Sequence, residues 1–176
     1  RSLLLDELLV DFPFVTPSDR AHALAAMLLP FARRMIGGVT PLHLIEAPSA
    51  GTGKGLLTAI IALLATGQAA PGRTLPVMED EARKMITSEL AQGRPIVLLD
   101  NISEKRELDN PALASVITTP VWTDRILGLS QMPTLPNKAL WIMTANNPHL
   151  SLEIARRCIR VRIDARADRP WLRGGF

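Results

Sequence analysis

The chain has 176 residues, 47% apolar and 21% charged, which suffices for one globular domain with a buried core and excludes disordered and fibrous classes. Its formal charge is +3, but residues 156–173 hold seven Arg against Asp164 and Asp168, a local +5, so the remainder sums to −2. One cysteine and three isolated histidines exclude an internal disulfide and a multi-cysteine zinc site, and predict a reducing, intracellular (cytoplasmic) setting.

Residues 1–19 are short apolar pieces broken by Pro13 and Pro17, and Thr16-Pro17-Ser18-Asp19 is a helix start signal. Arg1-Ser2, with Asp6 and Glu7 soon after, lacks the form of a signal peptide, and an excised segment is expected. A helix is predicted over 21–36, kinked at Pro30 and ended by Gly37-Gly38. Residues 42–45 read as a buried strand and 54–65 as a helix, with a turn-rich loop between them. The uncharged run 55–72 contains Gly67, Gln68 and Pro71, so no membrane-spanning helix is expected. A weak strand over 74–78, a helix over 80–91, a strand over 95–99 and a helix over 111–118 follow. Strands over 139–143 and 158–163 flank a short helix at 151–157. Between Trp122 and Pro136, residues 125–128 and 132–135 flank a polar turn and predict a small hairpin. The alternation of strand and helix predicts a mainly parallel sheet covered on both faces.

The loop Ala47-Pro48-Ser49-Ala50-Gly51-Thr52-Gly53-Lys54-Gly55 lies between predicted strand and helix. There, successive backbone N–H groups converge on a polyphosphate, the helix N-terminus adds positive potential and Lys54 meets the outer phosphates. Pro95 to Asn101 is a hydrophobic strand that delivers Asp100 at its C-terminal end, where ligands sit in open α/β sheets. Asn101 follows, and an amide cannot act as a base. Glu104 stands three residues after Asn101, and Glu79 and Glu81 stand at the end of the neighbouring predicted strand. Glu79 and Glu81 suit the N-terminus of the next helix. Ala139 to Asn147 is a third strand with a polar end, and Glu153-Ile154-Ala155-Arg156-Arg157-Cys158 closes the helix after it. The later Arg160, Arg162, Arg166 and Arg169 read as solvated charges near a helix end.

The loop from Ser49 to Lys54 resembles the Walker A motif of AAA+ ATPases, with Pro48 in place of the first Gly and Gly55 in place of the hydroxyl residue that ligates Mg²⁺. The segment ending in Asp100 resembles Walker B, with Asn101 where a Glu is usual, and the strand ending at Asn146 resembles sensor 1. Stretches including Leu99-Asp100-Asn101, Pro111-Ala112-Leu113-Ala114 and Ala155-Arg156-Arg157 are similar to ATPase modules of phage and mobile-element replication proteins, often found beside a primase, over residues 16–170.

The resemblance implies a P-loop three-layer sandwich with a five-stranded sheet in the order 5-1-4-3-2, a hairpin before sensor 1 and no C-terminal lid. It implies an extension and lead-in helix over 1–40, an ATPase core over 41–165, and the start of a linker over 166–176. It also implies ATP and Mg²⁺ as ligands. Pro48, Ser49, Ala50, Gly51, Thr52, Gly53, Lys54, Gly55 and Leu56 would bind nucleotide, and Asp100 the metal, directly or through water. Asn146 would reach the γ-phosphate, and one of Glu104, Glu79 and Glu81 would activate water. Arg156 and Arg157 would serve as arginine fingers across the boundary of a head-to-tail homo-oligomer, a hexameric ring. The hairpin matches one that touches single- or double-stranded DNA in helicase-like members, with Arg125 and Lys138 as its cations, although a surface hairpin without that role fits equally. The activity so implied is ATP hydrolysis driving a DNA helicase or translocase, and the rivals are a protein remodeller and an ATP-switched assembly module.

Overall fold

The computed structural model describes residues 3–104, 106–125 and 132–172. After a π-helical turn at Leu3–Leu8, helix α1 spans Pro17–Ala32. It starts earlier than expected, because Thr16 and Asp19 form a capping box: Asp19 N donates to Thr16 Oγ1 at 3.2 Å and Thr16 N donates to Asp19 Oδ2 at 2.9 Å. Pro17 occupies the first turn, where its missing N–H costs nothing. Pro30 lies two residues before the end, and a 3₁₀ turn at Arg33–Met35 follows.

The remaining elements are β1 (Leu42–Ala47), α2 (Lys54–Thr66), β2 (Gly72–Arg73), α3 (Glu79–Ala91), β3 (Ile96–Ile102), α4 (Pro111–Val116), β4 (Val121–Thr123), β5 (Thr134–Pro136), β6 (Leu140–Asn146), α5 (Leu152–Ala155) and β7 (Cys158–Arg162). The sheet runs β2-β3-β6-β1-β7, all parallel; counted among its own five strands in chain order, this is 5-1-4-3-2 from the other edge. Two expectations need correction. The weak strand over 74–78 pairs instead at Gly72–Arg73, since Pro76 has no N–H to give a ladder and Gly72 lies against Asp100, where a Cβ would sit 3.0 Å from Asp100 Cβ. The hairpin arms that pair are 121–123 and 134–136, where Trp122 is buried opposite Leu135 and its Nε1 donates to Thr87 Oγ1 at 2.9 Å; of the expected first arm 125–128 only Arg125 is described, outside any strand. Residues 126–131 of the expected hairpin lie outside the described residues.

Alternate side chains of the central strands feed two cores, which makes three layers. Val97, Leu99, Trp141 and Met143 pack with Ile86 of α3 and Leu113 of α4. Leu98, Ile142, Ile45 and Val161 pack with Met27 of α1 and with Leu57 and Ile61 of α2. The N-terminal segment runs along β7: Val15 N donates to Arg162 O at 3.1 Å, Asp164 N donates to Pro13 O at 2.8 Å, and Phe14 bridges Ile163 antiparallel. Among the described residues no helix is long and apolar enough to cross a membrane.

Candidate functional site

The loop from Pro48 to Gly53 joins the buried end of β1 to the first turn of α2 at the C-terminal edge of the sheet, where such loops meet ligands. Gly51 (φ 75°) and Gly53 (φ 106°) take left-handed conformations that disfavour other residues, and this lets the backbone reverse tightly before the helix. Buried Thr52 fixes the turn by donating from Oγ1 to Ser49 O at 2.9 Å. Asn147, also at positive φ (36°), holds the loop from outside: its Nδ2 donates to Pro48 O at 3.1 Å and its N to Ala47 O at 3.1 Å.

Lys54, Asn146 and Asp100 come together at this edge. Lys54 Nζ donates to Asn146 Oδ1 at 2.5 Å and to Ser49 O at 3.2 Å. Burial lowers the Lys54 ammonium from its ordinary value, and the negative charge of Asp100 opposes that shift. Asp100 Oδ1 accepts from Thr144 Oγ1 at 2.5 Å, and the same hydroxyl accepts from Asn101 N at 2.9 Å, which steadies Asn101 at φ 57°. Thr144, buried in β6, is therefore a site residue that sequence reasoning missed; as one apolar-flanked Thr inside a strand it carried no signal.

Gly55 opens α2 with no side chain, and a Cβ there would meet nothing within 4 Å. Among the described residues, Asp100 is the carboxylate whose charge acts on Lys54, and so the one offered to a divalent cation there. That set fits Mg²⁺, which keeps several waters and takes its other ligands from phosphate oxygens.

Beside the loop lies a cavity of about 390 Å³ lined by Leu8, Phe12, Leu56, Ile60, Ala165 and Pro170, with Asp11 as its one charged wall, and floored by Gly51, Thr52 and Gly53. Of its apolar walls only Leu56 was expected; Ile60 stands one turn further along α2, and Leu8, Phe12, Ala165 and Pro170 come from the two chain ends, which sequence spacing does not place together. The cavity has the apolar walls and polar floor of a small-molecule site.

The other expected residues lie apart from the loop. Glu79 faces Arg83 (3.9 Å), which also pairs with Asp124 at 2.8 Å and sits 5.0 Å over the Trp122 ring. Glu81 pairs with Lys84 at 2.6 Å, and Glu104 is exposed on the turn after β3. Arg156 pairs with Glu153 at 2.7 Å and Arg157 with the same carboxylate, so both are held within their own chain. Arg125 is exposed after β4, whereas Lys138 lies past β5 and donates to Ile36 O at 3.0 Å, at the base of the hairpin.

Arg160 and Arg162 correct the reading of solvated charges. Both grip Glu46, which is buried in β1: Arg160 Nη2 donates to Oε2 at 2.7 Å, Arg160 Nε to Oε1 at 3.1 Å and Arg162 Nη1 to Oε1 at 3.3 Å. Arg162 Nη2 also donates to Asn147 Oδ1 at 3.2 Å, which carries the grip to the glycine loop.

No family model and no curated protein matches the chain. Among solved structures, JCV helicase bound to N-(4-(2-(thiazolo[5,4-c]pyridin-2-yl)phenoxy)phenyl)acetamide aligns over 85% of this chain and 46% of its own, at 11% identity and a TM-score of 0.49. The chain thus spans less than half of that structure's length.

Proposed function

We propose that this chain is a nucleoside-triphosphate-binding domain of the AAA+ P-loop type, with ATP and Mg²⁺ as its ligands. One observation carries the reading: Lys54, from the first turn of α2, meets the polar end of β6 at Asn146 while feeling the charge of Asp100 at the end of β3. Three elements thereby converge beside a glycine turn and a helix N-terminus, the arrangement that suits a triphosphate. In this reading the loop N–H groups hold the phosphates, Lys54 neutralises the outer ones and exchanges its bond to Asn146 for them, and Asn146 orients the terminal group. Asp100, held by Thr144, would carry Mg²⁺, which supplies charge neutralisation on the phosphates. The apolar cavity would take the base, with Leu8 and Phe12 as its walls.

Hydrolysis in a head-to-tail ring, with Arg156 and Arg157 released from Glu153 to reach a neighbour, and DNA translocation through the hairpin form the fuller version of this proposal. A second reading is favoured by Asn101 and by the engagement of Glu79 and Glu81 elsewhere: nucleotide binds and switches assembly with little turnover. Titration of a fluorescent ATP analogue against the chain and against Lys54→Ala tests the core reading. An affinity loss of at least about tenfold is expected, and equal binding by the two proteins would overturn it. Turnover of the parent measured beside its binding then separates the two readings, binding without turnover favouring the switch, and unchanged rates in Glu79→Gln, Glu81→Gln and Glu104→Gln would remove all three as the group that activates water.

A further inference from the structure

At the opposite, N-terminal edge of the sheet, just before β3 and β6, lies a recess of about 140 Å³ lined by Arg33, Arg34, Arg94 and Lys138. No Asp or Glu lines it among the described residues. Arg33 is 3% exposed; its Nη1 donates to Ile36 O at 3.2 Å and its Nη2 to Asn137 O at 2.7 Å, while its Nε has no hydrogen-bond partner. Among the described residues its buried charge thus has carbonyl dipoles around it but no carboxylate paired with it, a state that costs free energy until an anion arrives. Arg34 is exposed and engages in no described bond, and Lys138 spends only one of its three donors, on Ile36 O. Arg94 shares Glu89 with Arg73: Arg94 Nε lies 2.9 Å from Oε2 and Arg73 Nε 2.8 Å from Oε1. Four cations thus line the recess, and one of them, Arg94, is paired with a carboxylate that it shares with Arg73, in a chain whose residues before the arginine-rich tail sum to −2.

We propose that this recess seats a phosphate group of a single-stranded nucleic acid. Guanidinium forks match phosphate oxygens, and three separate segments supply cations around a space the size of one such group. A slot of this size admits one flexible backbone, whereas a duplex, whose phosphates lie on a rigid cylinder, meets only its rim. The site stands at the base of the β4–β5 hairpin, across the sheet from the phosphate-type loop, so the proposal is independent of the nucleotide reading.

The test is fluorescence anisotropy of a labelled thymidine oligonucleotide, titrated with the whole chain at several salt concentrations. Arg34→Ala breaks no described bond and leaves the fold intact; Lys138→Gln is the second variant. Each should weaken binding about fivefold at 0.1 M salt and reduce the salt slope by about 0.7. Binding of the ATP analogue should stay at the parent level in both, which separates failure here from failure of the nucleotide proposal. The proposal is overturned if the parent does not bind the oligonucleotide, or if both variants bind as the parent does. It is equally overturned if micromolar inorganic phosphate, duplex of equal length or polyglutamate of equal charge competes as well as the oligonucleotide.

Discussion

Thr144→Val tests how the acid at the end of β3 is held. Val keeps the shape and the strand preference of Thr but removes the hydroxyl that donates to Asp100 Oδ1 at 2.5 Å and accepts from Asn101 N at 2.9 Å. A neutral hydrogen bond contributes about 1 kcal/mol net and one to a carboxylate about 1.5–3 kcal/mol. Asp100 is exposed, so water replaces part of the loss, and the expected destabilisation is about 2 kcal/mol. For a chain of this size that lowers the melting temperature by about 4–8 °C. The new methyl also cannot keep hydrogen-bond distance to a carboxylate oxygen, since carbon needs about 3.5 Å, so Asp100 must move outward. Calorimetry gives the first quantity. The Mg²⁺ dependence of ATP-analogue binding gives the second, with about a tenfold higher metal requirement expected. Thr144→Ser restores the hydroxyl and should recover both. A Val variant within about 0.5 kcal/mol of the parent with unchanged metal dependence, or a Ser variant as impaired as Val, would refute the role assigned to the hydroxyl.

Gly72→Ala places a Cβ 3.0 Å from Asp100 Cβ, and should cost about 1–2 kcal/mol in denaturant titration while raising the Mg²⁺ requirement as Thr144→Val does. His43 is buried in β1, and burial, then the charge of His22, push it down to about 4 against a backbone bond at Pro41. Its folded value lies below the unfolded one, so its contribution is complete above about pH 6.5 and falls away by about 3 kcal/mol toward pH 4. Stability measured across that window should slope less in His43→Gln. Burial pushes the Cys158 thiol up to about 12 despite nearby Arg160, so iodoacetamide at pH 8 should label the folded chain at least about a hundredfold more slowly than the urea-unfolded chain.

The strands that carry the site were legible because β3 and β6 are buried apolar runs with polar ends, β1 is a buried strand apolar but for His43 and Glu46, and the glycine turn is visible as a string. β2 was misplaced because its two residues are set by room beside Asp100 rather than by apolar pattern. Glu46 stands inside an apolar run and its partners Arg160 and Arg162 lie over a hundred positions away, so only the β1–β7 pairing reveals that the three are joined. The cavity walls Leu8, Phe12 and Pro170 were hidden for the same reason: the chain ends meet only after folding. The capping box at Thr16 was visible, and it fixed the start of α1 better than the apolar periodicity did.

The segment at residues 13–15 also bears on self-association. β7 closes one side of the sheet, and without a cover its free N–H and C=O groups would be a template for a second chain. Pro13, Phe14 and Val15 occupy part of that template, and the opposite border, β2, is only two residues long. Both borders of the sheet are therefore poor seeds for aggregation. A version trimmed to begin at Thr16 would keep the cap of α1 yet lose this protection, becoming prone to stacking strand on strand.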